Sequence, residues 1–252
     1  MNNWTEKETI VAFNLYCKLP FGKLNQNNPE IIKLAELLGR NPSAVNMKLC
    51  NMARLDPSLQ KRGVAGLTHG AKLEQIVWDK FVDNPDELAY QSEKLIAEFS
   101  HKNIEEVAGL DISKLPDGKE RESIVKVRVN QSFFRDVVLN SYDHCCCISG
   151  VANDKLLEAS HIIDWSDDVK NRTNPCNGLC LNVFFHRAYD KLLLAITPDL
   201  KVSVSEELLV TTRDENFKKY LSLIDGQEIN SPSKFSPNKE FLDMHYQKYV
   251  NR

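Results

Sequence analysis

Apolar positions recur at helical spacing through the first seventy residues. In "TEKETIVAFNLYCKL" the residues Ile10, Phe13, Leu15 and Cys17 keep one stripe, and Pro20 ends it. Thr5 with Glu8 three residues on has the form of a capping box. "NPEIIKLAELLGRNPSAVNMKLCNMARL" then predicts two helices around a tight turn. Asn28 and Pro29 open the first, which turns Ile31, Ala35 and Leu38 to one side. Gly39 suits its C-terminal exit, and Asn41 with Pro42 starts the second. Val45, Leu49 and Met52 fall at i, i+4 and i+7 and should be buried. Residues 73 to 112 continue as an acidic helical stretch, interrupted at Pro116 and Gly118.

Beyond residue 122 the pattern changes. "SIVKVRVNQSFFRDVVLNSY" predicts a helix, and "HCCCISG" and "KLLEASHIIDW" are short β-like runs joined by "VAND" as a hairpin turn. "SDDVKNRTNPCNG" is a polar loop, and "NVFFHRAYDK" is a compact helix with Asn182 as its N-cap. The alternation in "LKVSVSEELL" predicts a strand, and "NKEFLDMHYQKYV" a helix packed on the same core.

A helix, a short glycine-containing turn and a second helix form a helix-turn-helix arrangement, whose second helix can enter the DNA major groove. Its outward residues would be Ser43, Asn46, Lys48 and Asn51, suited to phosphates or base edges. Many small helical bundles share the pattern and bind nothing, so charge has to decide. The formal net charge is −3, yet residues 1 to 72 carry ten Lys/Arg against five Asp/Glu, and residues 73 to 113 carry three against ten. A basic front section in an acidic chain favours a polyanion partner.

The 252 residues suffice for one large or two modest domains. A hydrophobic content of 42% and no apolar run near bilayer length exclude a membrane span. "MNNWTEKETI" does not read as a secretion signal, so a cytoplasmic location is expected. In that compartment the seven cysteines are expected to be thiols. Cys145, Cys146, Cys147, Cys176 and Cys180 lack the Cys-x-x-Cys spacing of structural zinc sites. A structural Zn²⁺ is therefore disfavoured, and buried thiols acting as small apolar groups are the better reading.

Three polar residues stand in the order His161, Asn177, His186, with Asp190 one helical turn further on. Taken singly, each has a bland explanation: a hydrogen-bonded core histidine, a turn asparagine before Gly178, an ordinary i, i+4 helix pair. His69, His101, His144 and His245 have no such company and read as structural or surface residues. Jointly the three motif positions are more specific. With the islands "CISG", "ASHIIDW", "NPCNGLCL" and "HRAYD", the stretch from about residue 121 to 196 resembles the HNH endonuclease family, the ββα-metal fold, and in particular bacterial HNH restriction endonucleases.

The chemistry can also be built from the residues. Hydrolysis of a phosphodiester needs a deprotonated water and something to stabilise the leaving oxygen. His161, at a strand end, is placed to be the general base, and His186 is the natural ligand for a divalent ion. Asp190 shares its helix face about 6 Å away. The resemblance implies metal binding from that face, with Asp190 in the second ligand position, and implies that Asn177 orients the base. Many members have an acidic or histidine ligand just before the base, and here that residue is Ser160, a poor ligand, so Asp164 or Asp167 enters as a substitute. Mg²⁺ or Mn²⁺ is expected. Lys170, Arg172 and Arg187 flank the site and suit phosphate contacts.

The expected class is α+β: an all-helical, helix-turn-helix-like module over 1–90, an acidic helical linker over 91–118, and an HNH domain over 119–252 with its ββα core at about 145–196. The expected function is a metal-dependent DNA endonuclease acting on double-stranded DNA, a restriction enzyme directed at foreign or modified DNA. A homodimer would let single sites break both strands. The alternatives are a DNA-binding regulator with an inactive HNH unit, favoured by Ser160, and an HNH nuclease toxin.

Overall fold

The structure is a computed structural model that describes residues 3–61, 63, 72–111, 113, 116 and 118–252. His69 lies outside them. The chain divides into two compact units, Met1–Val137 and Val138–Arg252.

The first unit is helical among its described residues. Thr5 caps α1 (Glu6–Lys18) with the complete capping box: its hydroxyl accepts from Glu8 N, and the Glu8 carboxylate accepts from Thr5 N. α2 (Pro29–Leu37) and α3 (Pro42–Ala53) begin as expected, with Asn28 and Asn41 as N-caps and proline in the first turn. Gly39 between them has a φ of +61°, a left-handed conformation that glycine adopts without a Cβ penalty. α4 (Pro57–Lys61) is short. The acidic stretch forms α5 (Lys72–Phe81), α6 (Pro85–Ser100) and α7 (Ile104–Val107). α1 packs on α3, α5 and α6. Phe13, Tyr16 and Trp78 make the aromatic centre of this core, with the Phe13 and Trp78 rings 5.0 Å apart.

Val45, Leu49 and Met52 are buried, as their spacing requires. Lys48 departs from its expected outward position. It is only 4% exposed, and its Nζ lies 2.6 Å from Glu74 Oε1 and 4.8 Å from the Trp4 ring centre. Residue 48 lies about 60° from Val45 on the helical wheel, next to Met52 at the edge of the buried stripe, and the carboxylate of α5 supplies a partner that periodicity could not announce.

α8 (Lys119–Ser141) contributes its last turn to the second unit. This unit holds two antiparallel two-stranded sheets: β1 (Leu157–His161) with β2 (Gly178–Asn182), and β3 (Leu194–Ile196) with β4 (Val202–Val204). α9 (Val183–Asp190) follows β2 directly. α10 (Glu206–Thr211), α11 (Glu215–Ile224) and α12 (Lys239–Val250) complete the unit.

The expected hairpin between "HCCCISG" and "KLLEASHIIDW" does not form. Residues 146–151 close on themselves instead: Cys146 N donates to Val151 O, and Gly150 N, at φ +71°, donates to Cys146 O. β1 finds its partner in β2, with Leu157 opposite Asn182 and His161 opposite Gly178. The run Leu179–Leu181 is wholly buried, so its apolar character reflects a strand covered on both faces. Cys147 still joins that strand through a single bond, N to Cys180 O, 2.8 Å.

Candidate active site

The site residues sit where β1, the excursion 162–177 and α9 converge. His161 is the last residue of β1. Its Nε2 lies 2.8 Å from the Arg172 carbonyl oxygen, which can only accept, so Nε2 carries the proton and Nδ1 the lone pair. The ring also meets Trp165 edge to face, with centroids 5.6 Å apart. Burial holds the imidazole below the ordinary histidine range, against the upward pull of the Arg172 carbonyl and Asp164. A neutral ring with a defined lone pair results. His186 and Asp190 are close enough for their charges to bear on it.

Asn177 is 1% exposed and closes the excursion at its base. Its Oδ1 accepts from Ile163 N at 2.8 Å, and its Nδ2 donates to Ile163 O and Asn171 O at 3.1 and 3.2 Å. Ile162 N, next to the base candidate, donates to Asn177 O. One amide thus ties the residues just after His161 to the segment that presents Arg172. Arg172 is committed to this clamp: its Nε donates to Trp165 O at 2.6 Å, and its guanidinium lies over the Trp165 ring.

Asn182 starts α9 by accepting from Phe185 N, and Val183 N donates to Leu156 O. The chain therefore turns into the helix beside the start of β1, which brings His186 to Glu158. The His186 Nδ1 is hydrogen-bonded to the Glu158 carboxylate. Its Nε2 lies 3.5 Å from Asp190 Oδ2. Ligands bound at about 2.1 Å stand about 3.0 Å apart at right angles and about 3.4 Å apart tetrahedrally. The His186–Asp190 pair is therefore close to the spacing of two ligands on one ion. Burial raises the Asp190 carboxyl above its ordinary range, opposed by His186, and the charges of Asp164 and Glu158 raise it further. An imidazole among crowded carboxylates, on a face open to solvent, is a donor set that a hard divalent ion fits.

That set supplies two ion-facing donors from protein, with water or phosphate to complete the shell. Among the described residues no group of three His, Cys, Asp or Glu side chains is gathered to hold an ion. Ser160 cannot extend it: the residue is fully buried, and its Oγ meets no hydrogen-bond partner. Asp167 is engaged by Lys248 at 2.8 Å. Asp164 is exposed, and it acts on His161 and Asp190 through charge.

The remaining candidates are scattered. Arg187 is exposed and lowers the Asp190 carboxyl electrostatically. On α3, Ser43 is exposed with its hydroxyl on Asn41, while Asn46 and Asn51 are half-buried, the latter 3.4 Å from Glu74. Sequence reasoning missed Glu158. Strand alternation places it out of phase with His161, and only the return of α9 beside Leu156 joins it to His186. His245, expected to be structural or at the surface, is buried, with its ring stacked on Tyr189 at 3.7 Å and 4° and its Nε2 facing Tyr189 O.

Residues 146–197 match the model of the HNH endonuclease family. The second unit thus contains an HNH domain, the catalytic domain of nucleases that act on nucleic acid with a divalent metal ion. Comparison with the curated proteins finds none that matches the chain. No helix among the described residues is long and apolar enough to cross a membrane.

Proposed function

We propose that the chain is a metal-dependent DNA endonuclease acting as a restriction enzyme on foreign DNA, base-modified DNA included. The observation that carries the reading is the His161 ring, held neutral by burial with its lone pair on Nδ1. In this reading Nδ1 takes a proton from the attacking water, which would then add in line to the phosphorus. Asn177 keeps the ring's support rigid. His186 and Asp190 hold the divalent ion, Mg²⁺ or Mn²⁺, which when bound supplies charge stabilisation for the leaving 3′ oxygen. Arg187 and Lys170, both exposed, are the phosphate contacts. The N-terminal helical unit selects or tethers the DNA, and a homodimer cuts both strands.

The protein-derived donor pair and the buried Ser160 favour one competing reading, a DNA-binding regulator whose HNH unit no longer cuts. Incubating supercoiled plasmid with the full chain and Mg²⁺ or Mn²⁺ separates the two. Nicking by the unaltered protein, abolished in His161→Ala and by EDTA, is expected. Binding without nicking under every metal would establish the regulator. Matched unmodified, methylated and hydroxymethylated substrates then identify the DNA, and sedimentation with and without DNA tests the dimer.

A further inference from the structure

The contact between Glu158 and His186 has no part in the mechanism above. A neutral imidazole carries one ring proton, and a carboxylate can only accept. The hydrogen bond therefore places that proton on Nδ1 and leaves the lone pair on Nε2, the nitrogen facing Asp190. We propose that Glu158 is a positioning residue for the metal ligand: it fixes His186 in the Nδ1–H tautomer, so that Nε2 and the Asp190 carboxylate face one ion together. The proposal rests on the metal-dependent reading of the site. It adds a residue from the opposite element, since Glu158 lies on β1 and both ligands on α9.

Several features carry it. His186 is flanked by acceptors on its two nitrogens, and only one can take a proton from the neutral ring. Its side chain is 26% exposed and that of Glu158 is 43% exposed, so the pair is within reach of solvent yet not dispersed in it. Glu158 pairs with Leu181 in the strand register, which makes its backbone rigid beside the N-cap of α9. A ligand histidine held through its second nitrogen by a carboxylate is a recurrent arrangement, and loss of the carboxylate weakens metal binding by about 10–100-fold.

The test uses the full chain without metal or DNA, so that it remains informative if no cleavage is found. Long-range ¹H–¹⁵N spectra at about pH 9, where imidazoles are neutral, report the tautomer of His186, assigned through its loss in His186→Gln. The expected result is Nδ1–H in the unaltered protein and a shift towards Nε2–H in Glu158→Leu. Calorimetric titration with Mn²⁺ should show affinity lowered about 10–100-fold in Glu158→Leu. Glu158→Gln, whose amide oxygen still accepts, should restore both tautomer and affinity. An Nε2–H ring in the unaltered protein would overturn the proposal, a result that needs no variant to fold. So would unchanged tautomer and affinity in Glu158→Leu. Affinity lost equally in Glu158→Gln and Glu158→Leu, with the tautomer unmoved, would make Glu158 a direct ligand instead.

Discussion

The ring of His161 donates through Nε2 to the carbonyl of Arg172, eleven residues downstream, and this one bond determines which nitrogen can receive a proton. His161→Ala should therefore reduce nicking by about 10²–10⁴-fold while leaving DNA binding in EDTA unchanged. The pH profile follows from the sign of the shift. Burial lowers the imidazole, so the active, unprotonated form persists to more acid pH than an ordinary histidine allows. The rate should hold through neutrality and fall only below about pH 6.5. A rate already falling from about pH 8 to 7 would contradict the assignment.

Asn177 satisfies the backbone of Ile163 on both sides and the carbonyl of Asn171. Asn177→Ala strands these groups in a buried place, at about 1–3 kcal/mol for each unsatisfied group after partial relaxation. Asn177→Asp should do no better, because a carboxylate cannot donate to either carbonyl. Denaturant melts should show destabilisation of both variants, with nicking lost more steeply than stability.

The buried Lys48–Glu74 pair makes a sharp distinction on α3. Removing one partner leaves an uncompensated buried charge, so Glu74→Ala and Lys48→Ala should each destabilise by about 3–5 kcal/mol. The double variant Lys48→Met/Glu74→Leu should recover most of the loss. DNA affinity of the folded Lys48→Met/Glu74→Leu protein should match that of the unaltered chain. A large selective loss of affinity would return Lys48 to the DNA-binding residues.

His245 is pushed down to about 4, chiefly by burial, from an unperturbed 6.5. The folded state resists protonation, so the unfolded state binds more protons between these values. Stability is complete above about pH 6.5 and is lost as pH falls towards about 4, by about 3 kcal/mol. His245→Phe keeps a ring for the stack on Tyr189 and removes the buried Nδ1, which has no partner. Melts over this range should show a flatter pH dependence in the variant.

Local signals in the sequence were strong where chemistry is local. Thr5, Asn28, Asn41 and Asn182 each cap the helix they announce, because a cap is decided within a few residues. Gly39 and the Val45–Leu49–Met52 stripe are local in the same sense. The order His161, Asn177, His186, Asp190 was readable because it lies within thirty residues. Pairing across distance was not readable. β1 had two apolar candidates, and burial on both faces selected Leu179–Leu181 over the cysteine run. Lys48 was misplaced because its partner lies in another helix, and Glu158 went unseen because a strand's alternation separates it from His161.

The stack of His245 on Tyr189 has a consequence for how the domain comes into being. α9 carries His186 and Asp190 on one side and Tyr189 on its inner side, and the ring that backs Tyr189 lies 56 residues downstream. A ribosome that has released the whole HNH segment has not yet made α12. During synthesis the helix that carries His186 and Asp190 therefore emerges before the ring that backs it, so the packing of α9 is completed only once α12 has formed.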